Sequence, residues 1–172
     1  MKIKKTITFL FFFNTIATYA QLPNTDIWLL DINKNKDSIW LSNPQNITNR
    51  SGYDNQPTFS PDGKYILYTS IRDEKQSDIY KYDLKTKQTI QFTNTLTSEY
   101  SPTFMPNGKK ISVVMVESDS TQRLWEFPIT GEKPSCIINE IDSVGYHCWI
   151  NKKEIALCII TEPMTLYIYQ VE

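Results

Sequence analysis

The chain has one histidine, three cysteines and five glycines in 172 residues. A single histidine, His147, excludes a multi-histidine metal centre. The cysteines, Cys136, Cys148 and Cys158, have no zinc-site spacing. An odd count in an exported chain leaves at least one thiol free or paired between molecules. They read as three buried small side chains, with a Cys148–Cys158 disulfide the alternative. Gly-x-Ser-x-Gly does not occur, which excludes the nucleophile elbow of the hydrolases. A Walker loop, a dinucleotide-binding glycine fingerprint and an Asp-x-Asp-x-Asp-Gly calcium loop are also missing. No catalytic residue, cofactor or metal is expected on these grounds. Beyond residue 20 no apolar run approaches the roughly 20 residues that span a bilayer. Nor does any segment there carry a capped 3.6-residue apolar period, so helix content is expected to be low.

The first 20 residues stand apart. Lys2, Lys4 and Lys5 precede the apolar run Ile7 to Phe13, and small residues lead to a cut after Ala20. This is the pattern of a secretory signal peptide, residues 1–20, with residues 21–172 as the mature chain. Gln21 follows the cut, so lipidation there is not expected. Removing the three lysines from 18 basic residues leaves 15 against 19 acidic ones, a net charge of −4. That balance argues against nucleic acid, which selects basic faces. The expected location is exported, periplasmic or secreted.

What is present in abundance is a repeat. Gln56 to Ser70 reads QPTFSPDGKYILYTS, and 45 residues later Ser101 to Met115 reads SPTFMPNGKKISVVM. Pro57, Phe59, Pro61, Asp62 and Gly63 thus match Pro102, Phe104, Pro106, Asn107 and Gly108. Trp149 continues the Phe59–Phe104 column in a worn third copy, which is one residue shorter before Ile155. Pro-Asp-Gly and Pro-Asn-Gly are turn signals, with Pro presetting φ, Asp or Asn bonding back, and Gly taking positive φ. An alternating strand also recurs as Ile27–Ile32, Ile79–Leu84, Leu124–Ile129 and Leu166–Val171. In the first complete unit the strands are expected at about 58–60, 65–70, 78–84 and 89–93. Four short strands per 45 residues is the size of a β-propeller blade. The expected fold is all-β: four-stranded antiparallel blades, about three in number, arranged as half a blade, two complete blades and a last blade ending on its third strand. A ring needs at least four blades, so the ring is incomplete. This implies a truncated chain, an incomplete gene product, or a fragment that closes by pairing with another copy through an unpaired terminal strand.

One face of the recurring strand carries Trp28, Leu30 and Ile32, then Tyr80, Tyr82 and Leu84, then Trp125, Phe127 and Ile129, then Tyr167, Tyr169 and Val171. It reads as blade-to-blade packing, because one blade cannot bury its own face; a binding platform is the alternative. Three residues are candidate ligand contacts. Asp54 and Glu99 match across the repeat in the loops entering the innermost strand, where they would bind a cation or a basic peptide, or else cap loop amides. Asp142 takes a roughly similar place in the third copy. His147 lies near the start of the strand that carries Thr58 and Thr103 in earlier copies, facing the central channel.

Ser60-Pro61-Asp62-Gly63-Lys64 with its flanks, and the strand starts Asp26-Ile27-Trp28 and Asp78-Ile79-Tyr80, resemble the WD40-like repeats of TolB-like β-propellers. The resemblance covers most of Thr25 to Glu172. It implies a non-enzymatic interaction module of the cell envelope whose funnel takes a loop or terminus of a protein or peptide partner. Similar repeats occur in other exported propellers. The alternatives are therefore a lyase, lactonase or cyclase, or the non-catalytic propeller part of a larger peptidase or sensor.

Overall fold

The computed structural model describes residues 23–72 and 76–171, and the signal segment lies outside them. The described residues form thirteen strands and no helix. β1 (Trp28–Lys34) and β2 (Ile39–Asn46) make a two-stranded ribbon. β3 (Tyr53–Phe59), β4 (Tyr65–Ile71), β5 (Ser77–Asp83) and β6 (Thr89–Gln91) make a four-stranded meander. β7 (Ser98–Phe104), β8 (Lys110–Val116), β9 (Gln122–Pro128) and β10 (Ser135–Cys136) repeat it. β11 (Val144–Trp149), β12 (Glu154–Ile159) and β13 (Thr165–Gln170) form a three-stranded sheet. Half a blade, two whole blades and three strands of another are thus the observed order, each sheet antiparallel.

The turn chemistry is the one the repeat calls for. Gly63 and Gly108 both have φ of 67°. Gly63 N–H donates to the Ser60 carbonyl at 2.9 Å, and Gly108 N–H to that of Met105 at 2.8 Å. In the third copy the equivalent turn runs from Ile150 to Glu154, where Ile150 N–H donates at 2.9 Å; the lost residue shortens the turn and leaves the sheet intact.

The first strand of each complete sheet is longer than expected. β3 starts at Tyr53 instead of about 58, because Pro57 does not begin the strand but sits in a bulge. Gln56 and Pro57 together oppose Tyr68, and Ser101 and Pro102 oppose Val113. Gln56 and Ser101 carry φ of 55° and 54°. A bulge absorbs the missing proline N–H and re-aims the strand.

Three apolar clusters hold the sheets together, one at each sheet-to-sheet contact. Ile27 meets Tyr68, Tyr80 and Tyr82. Leu67 and Ile79 meet Ile111, Val113, Met115 and Phe127. Val114 and Leu124 meet Val144, Ile155 and Leu157. The two faces of β5 illustrate the alternation: Tyr80 and Tyr82 pack toward the ribbon, Ile79 toward the next sheet. The aromatic face is therefore packing in the two whole blades. On the ribbon it is open among the described residues, Trp28 56% exposed and Ile32 74%; on the last sheet Tyr169 and Val171 pack against the preceding sheet, and Tyr167 stays 49% exposed. Phe104 packs edge-on against Tyr65 of the preceding sheet, 5.9 Å between ring centroids. Phe59, its counterpart, is exposed, because the ribbon before it has no strand in the place of β4. All three cysteines are free, and Cys148 is exposed, contrary to the expectation of burial. It faces outward from β11, on the side of the last sheet that no neighbour covers.

Candidate functional site

Of the first strands of the three larger sheets, β7 neighbours both β3 and β11. Between them lies a cleft of about 320 Å³ lined by Tyr53, Gln56, Tyr100, Val114, Gln122 and Tyr146, among others. Each tyrosine comes from a different inner strand. Gln122 and Ile160 are shared with a second, polar cleft of about 290 Å³ that carries Asp119 and Asp142. The two clefts form one groove, aromatic at one end and acidic at the other. Both aspartates are exposed. The Thr121 N–H bonded to Asp119, 2.9 Å from Oδ1, holds that carboxyl below its ordinary range.

Asp54, Glu99 and His147 are each the chain neighbour of a cleft tyrosine: Tyr53, Tyr100 and Tyr146. Successive strand residues point to opposite faces, so the tyrosines line the cleft while these three turn inward. Asp54 is buried. Ser70 Oγ donates to its Oδ1 at 2.6 Å, and Arg50 Nη2 at 3.1 Å. Arg50 Nε completes the ion pair 3.0 Å from Oδ2, without the alignment of a hydrogen bond. Glu99 is also buried, yet no cation faces it among the described residues. Its oxygens accept from Thr93 Oγ1 at 3.0 Å, Thr97 Oγ1 at 3.4 Å, and Thr95 Oγ1. Burial pushes its carboxyl up to about 7 against the pull of these hydroxyls, and the nearby Asp78 charge adds to the rise.

The repeat register explains the difference. Residue 95, one step of 45 after Arg50, is threonine, and residue 115, one step after Ser70, is methionine. The second unit has lost both the cation and the serine, and three threonine hydroxyls replace them. In the third unit the same position is Val144, fully buried; Asp142, expected there, is exposed two residues earlier.

His147 stands opposite Leu157 in β12. Its Nε2 lies 2.7 Å from Ser112 Oγ, and Trp149 Nε1 donates to the same oxygen at 2.9 Å. The Ser112 hydroxyl reaches the Thr103 carbonyl at 3.4 Å. With that proton directed at Thr103, Ser112 accepts from both rings, which assigns the His147 proton to Nε2. Nδ1 is left a buried acceptor with no partner. Burial lowers the imidazole to about 4, so it is neutral at neutral pH. Ser112 is fully buried, and through it His147 and Trp149 brace β11 against β8.

The tyrosines escaped the repeat-based reading because they do not share a column. They stand at 53, 100 and 146, steps of 47 and 46, while the repeat steps by 45. No group of three or more metal-ligating side chains occurs among the described residues. No described helix is long and apolar enough to cross a membrane.

Successive meanders stacked face to face, first strands gathered inward, define part of a β-propeller. The particular likeness is to TolB. TolB from Acinetobacter baumannii superimposes with a TM-score of 0.63 at 20% identity, over 84% of this chain and 38% of that one. A putative TolB from Agrobacterium tumefaciens gives 0.57 at 20%, over 74% and 48%. An oligogalacturonate lyase in complex with manganese gives 0.56 at 14%, over 78% and 41%. The chain therefore spans less than half the length of each, and the fold is a partial TolB-like propeller. No family model and no curated relative matches the sequence.

Proposed function

We propose that the chain is a non-enzymatic interaction module of the cell envelope, exported to the periplasm or beyond, that takes a peptide segment of a partner in the groove between β3, β7 and β11. The observation that carries this reading is the convergence of Tyr53, Tyr100 and Tyr146 on one cleft that runs on to Asp119 and Asp142. Tyrosine rings offer apolar contact and a face for a cation, and the carboxylates favour lysine or arginine on the partner. Asp54, Glu99 and His147 serve here by fixing the strands that present the tyrosines.

The test is an array of basic and neutral peptides probed with the purified chain. Binding is expected to favour basic peptides, to weaken with salt, and to be lost in Tyr100→Ala and Tyr146→Ala. Equal binding by these variants, or no peptide retained above background, would overturn the reading. A second reading, a propeller enzyme, draws on the likeness to the lyase. A stoichiometric divalent metal found by elemental analysis, with turnover lost in His147→Ala, would favour it instead.

A further inference from the structure

The turns of the molecule sort by charge. In each larger sheet the strands alternate in direction, so the turn after the first strand and the segment after the third lie at the same end. Leu84 N–H donates to the Lys64 carbonyl at 3.0 Å, Ile129 N–H to that of Lys109 at 3.2 Å, and Val171 N–H to that of Lys153 at 2.7 Å. The sheets stack the same way up. Thr25, just before β1, bridges in parallel to Tyr53 at the start of β3. At the other end, Tyr65 at the start of β4 meets Phe104 at the end of β7. One end of the stack is therefore built from residues 34–39, 60–64, 83–88, 105–110, 129–134 and 150–154. These segments hold ten lysines and five acidic residues, a balance of +5, although residues 21–172 as a whole carry −4. Each of the four sheets contributes at least two of the lysines. At the opposite end, the described residues among 24–27, 47–54, 71–78, 92–99, 116–123, 137–144 and 160–164 hold nine acidic residues and three arginines, a balance of −6. The acidic cleft of the groove belongs to that end.

Exposed apolar side chains stand among the lysines. Ile39 is 67% exposed, Phe59 56%, Ile129 41% and Ile150 53%, one from each sheet. Lysine turns interleaved with open aliphatic and aromatic side chains suit the boundary of a bilayer: acidic headgroups attract the ammonium groups, and the apolar side chains enter among the acyl chains. Nucleic acid or an anionic polysaccharide attracts the charge but leaves the isoleucines in water. The type of base agrees. This end carries lysine alone, a hydrated point charge on a flexible stem, and no arginine, whose fork suits a fixed phosphate site. A further sheet added to the stack would extend this surface and not cover it, because sheets pack through their faces and these are their turns.

We infer that the lysine-rich end of the stack lies against a bilayer of acidic phospholipid, with the acidic end of the groove turned away from it. The contact uses none of the residues that line the groove, and it does not depend on the partner proposed for them.

The experiment is co-sedimentation with vesicles of phosphatidylcholine alone and of phosphatidylcholine mixed with phosphatidylglycerol. It uses the wild-type chain, the triple variant Lys85→Glu, Lys109→Glu and Lys152→Glu, and Ile150→Ser. The three lysines are exposed and come from three different sheets. The wild type is expected to bind the acidic vesicles, to stay at background with phosphatidylcholine alone, and to be released by salt. One lysine near an anionic surface contributes about fivefold in partition, so the triple reversal is expected to weaken binding by at least about a hundredfold. Ile150→Ser is expected to weaken binding several-fold while the salt dependence stays the same. Unchanged circular dichroism in the variants excludes misfolding as the cause. Wild-type chain that binds neither vesicle, or both equally, overturns the inference, and so does equal binding by the triple variant. Retention on heparin or duplex DNA without binding to vesicles also overturns it and assigns the lysines to a polyanion in solution. Wild-type binding by Ile150→Ser overturns the entry of its side chain into the bilayer.

Discussion

Glu99 occupies in the second whole sheet the place that Asp54 occupies in the first, but among the described residues only Asp54 faces a cation. Its partner Arg50 pairs with it at 3.0 Å and also donates to the carbonyls of Ser51, Tyr53 and Ile71. Arg50 therefore ties the segment entering β3 to the end of β4. Replacing it with alanine strands a buried carboxylate. Loss of one partner of such a pair costs about 3 kcal/mol. Arg50→Ala is expected to lower the urea midpoint accordingly, and Arg50→Ala with Asp54→Asn to recover part of the loss. Thr95→Ala, at the matching position, removes one hydroxyl and is expected to cost only about 1 kcal/mol.

Glu99 and His147 tilt the pH dependence in opposite directions. Glu99 rises from 4.5 unfolded to about 7 folded, so the folded form prefers the neutral acid. Its contribution is full below pH 4.5 and is lost as pH climbs to about 7. His147 falls from 6.5 unfolded to about 4 folded, so the folded form prefers the neutral imidazole. Its contribution is full above 6.5 and is lost as pH drops toward 4. Each full span is worth about 3 kcal/mol at 1.36 kcal/mol per pKa unit. Between pH 4.5 and 6.5 the two slopes oppose each other. Glu99→Gln is expected to unmask the histidine, giving stability that rises with pH across this window. His147→Gln is expected to leave stability that falls. Urea midpoints measured at half-unit pH steps test both; parallel profiles in wild type and variants would sink the idea.

Ser112 is the shared acceptor for two rings on β11. Ser112→Ala leaves the Trp149 Nε1–H and the His147 Nε2–H without their partner in a buried setting. Each orphaned donor costs roughly 1–3 kcal/mol. The variant is expected to be destabilised by about 3 kcal/mol in all, with a shift in the fluorescence contributed by Trp149. Ser112→Thr, which keeps the hydroxyl, is expected to recover part of the stability, set against the cost of its extra methyl in a filled core.

The sheets were legible in the sequence because their signals are local: a proline–glycine turn, an alternating strand, and a fixed step between them. Pro57 shows where that reasoning stops. In the chain it reads as a strand boundary, and only the pairing of Gln56 and Pro57 against Tyr68 reveals a bulge inside a longer strand. Of the candidate groove, the strands were legible and the lining residues were not. Asp54, Glu99 and His147 lie in the right strands, but a carboxylate in a repeated column repeats for packing reasons, so the repeat itself favoured the inward-turned residues. The neighbours that line the groove, Tyr53, Tyr100 and Tyr146, become visible only once the bulges fix the facing of each strand. A shift of one residue exchanges the two faces, and no local signal sets that parity here.

Gln56 joins the two whole sheets across one full step of the repeat. Its Oε1 accepts from the backbone N–H of Ser101 at 2.9 Å and from Thr69 Oγ1 at 2.9 Å. Ser101 is the residue that occupies the Gln56 position in the next unit, and both sit at the left-handed corner of a bulge. One bulge is thereby pinned to the next through a side chain that also lines the groove. Gln56→Ala leaves the Ser101 N–H only Thr69 Oγ1, 3.2 Å away, and is expected to cost about 1 kcal/mol. Gln56→Glu keeps an acceptor in the same place and is expected to cost less. Hydrogen exchange separates this from a general loss of stability. Protection at Ser101 should fall in Gln56→Ala by more than the global change, while protection at Ile155 and Leu157 in β12 should fall only by the global amount. Equal losses at all three sites would mean that the contact contributes nothing beyond ordinary packing.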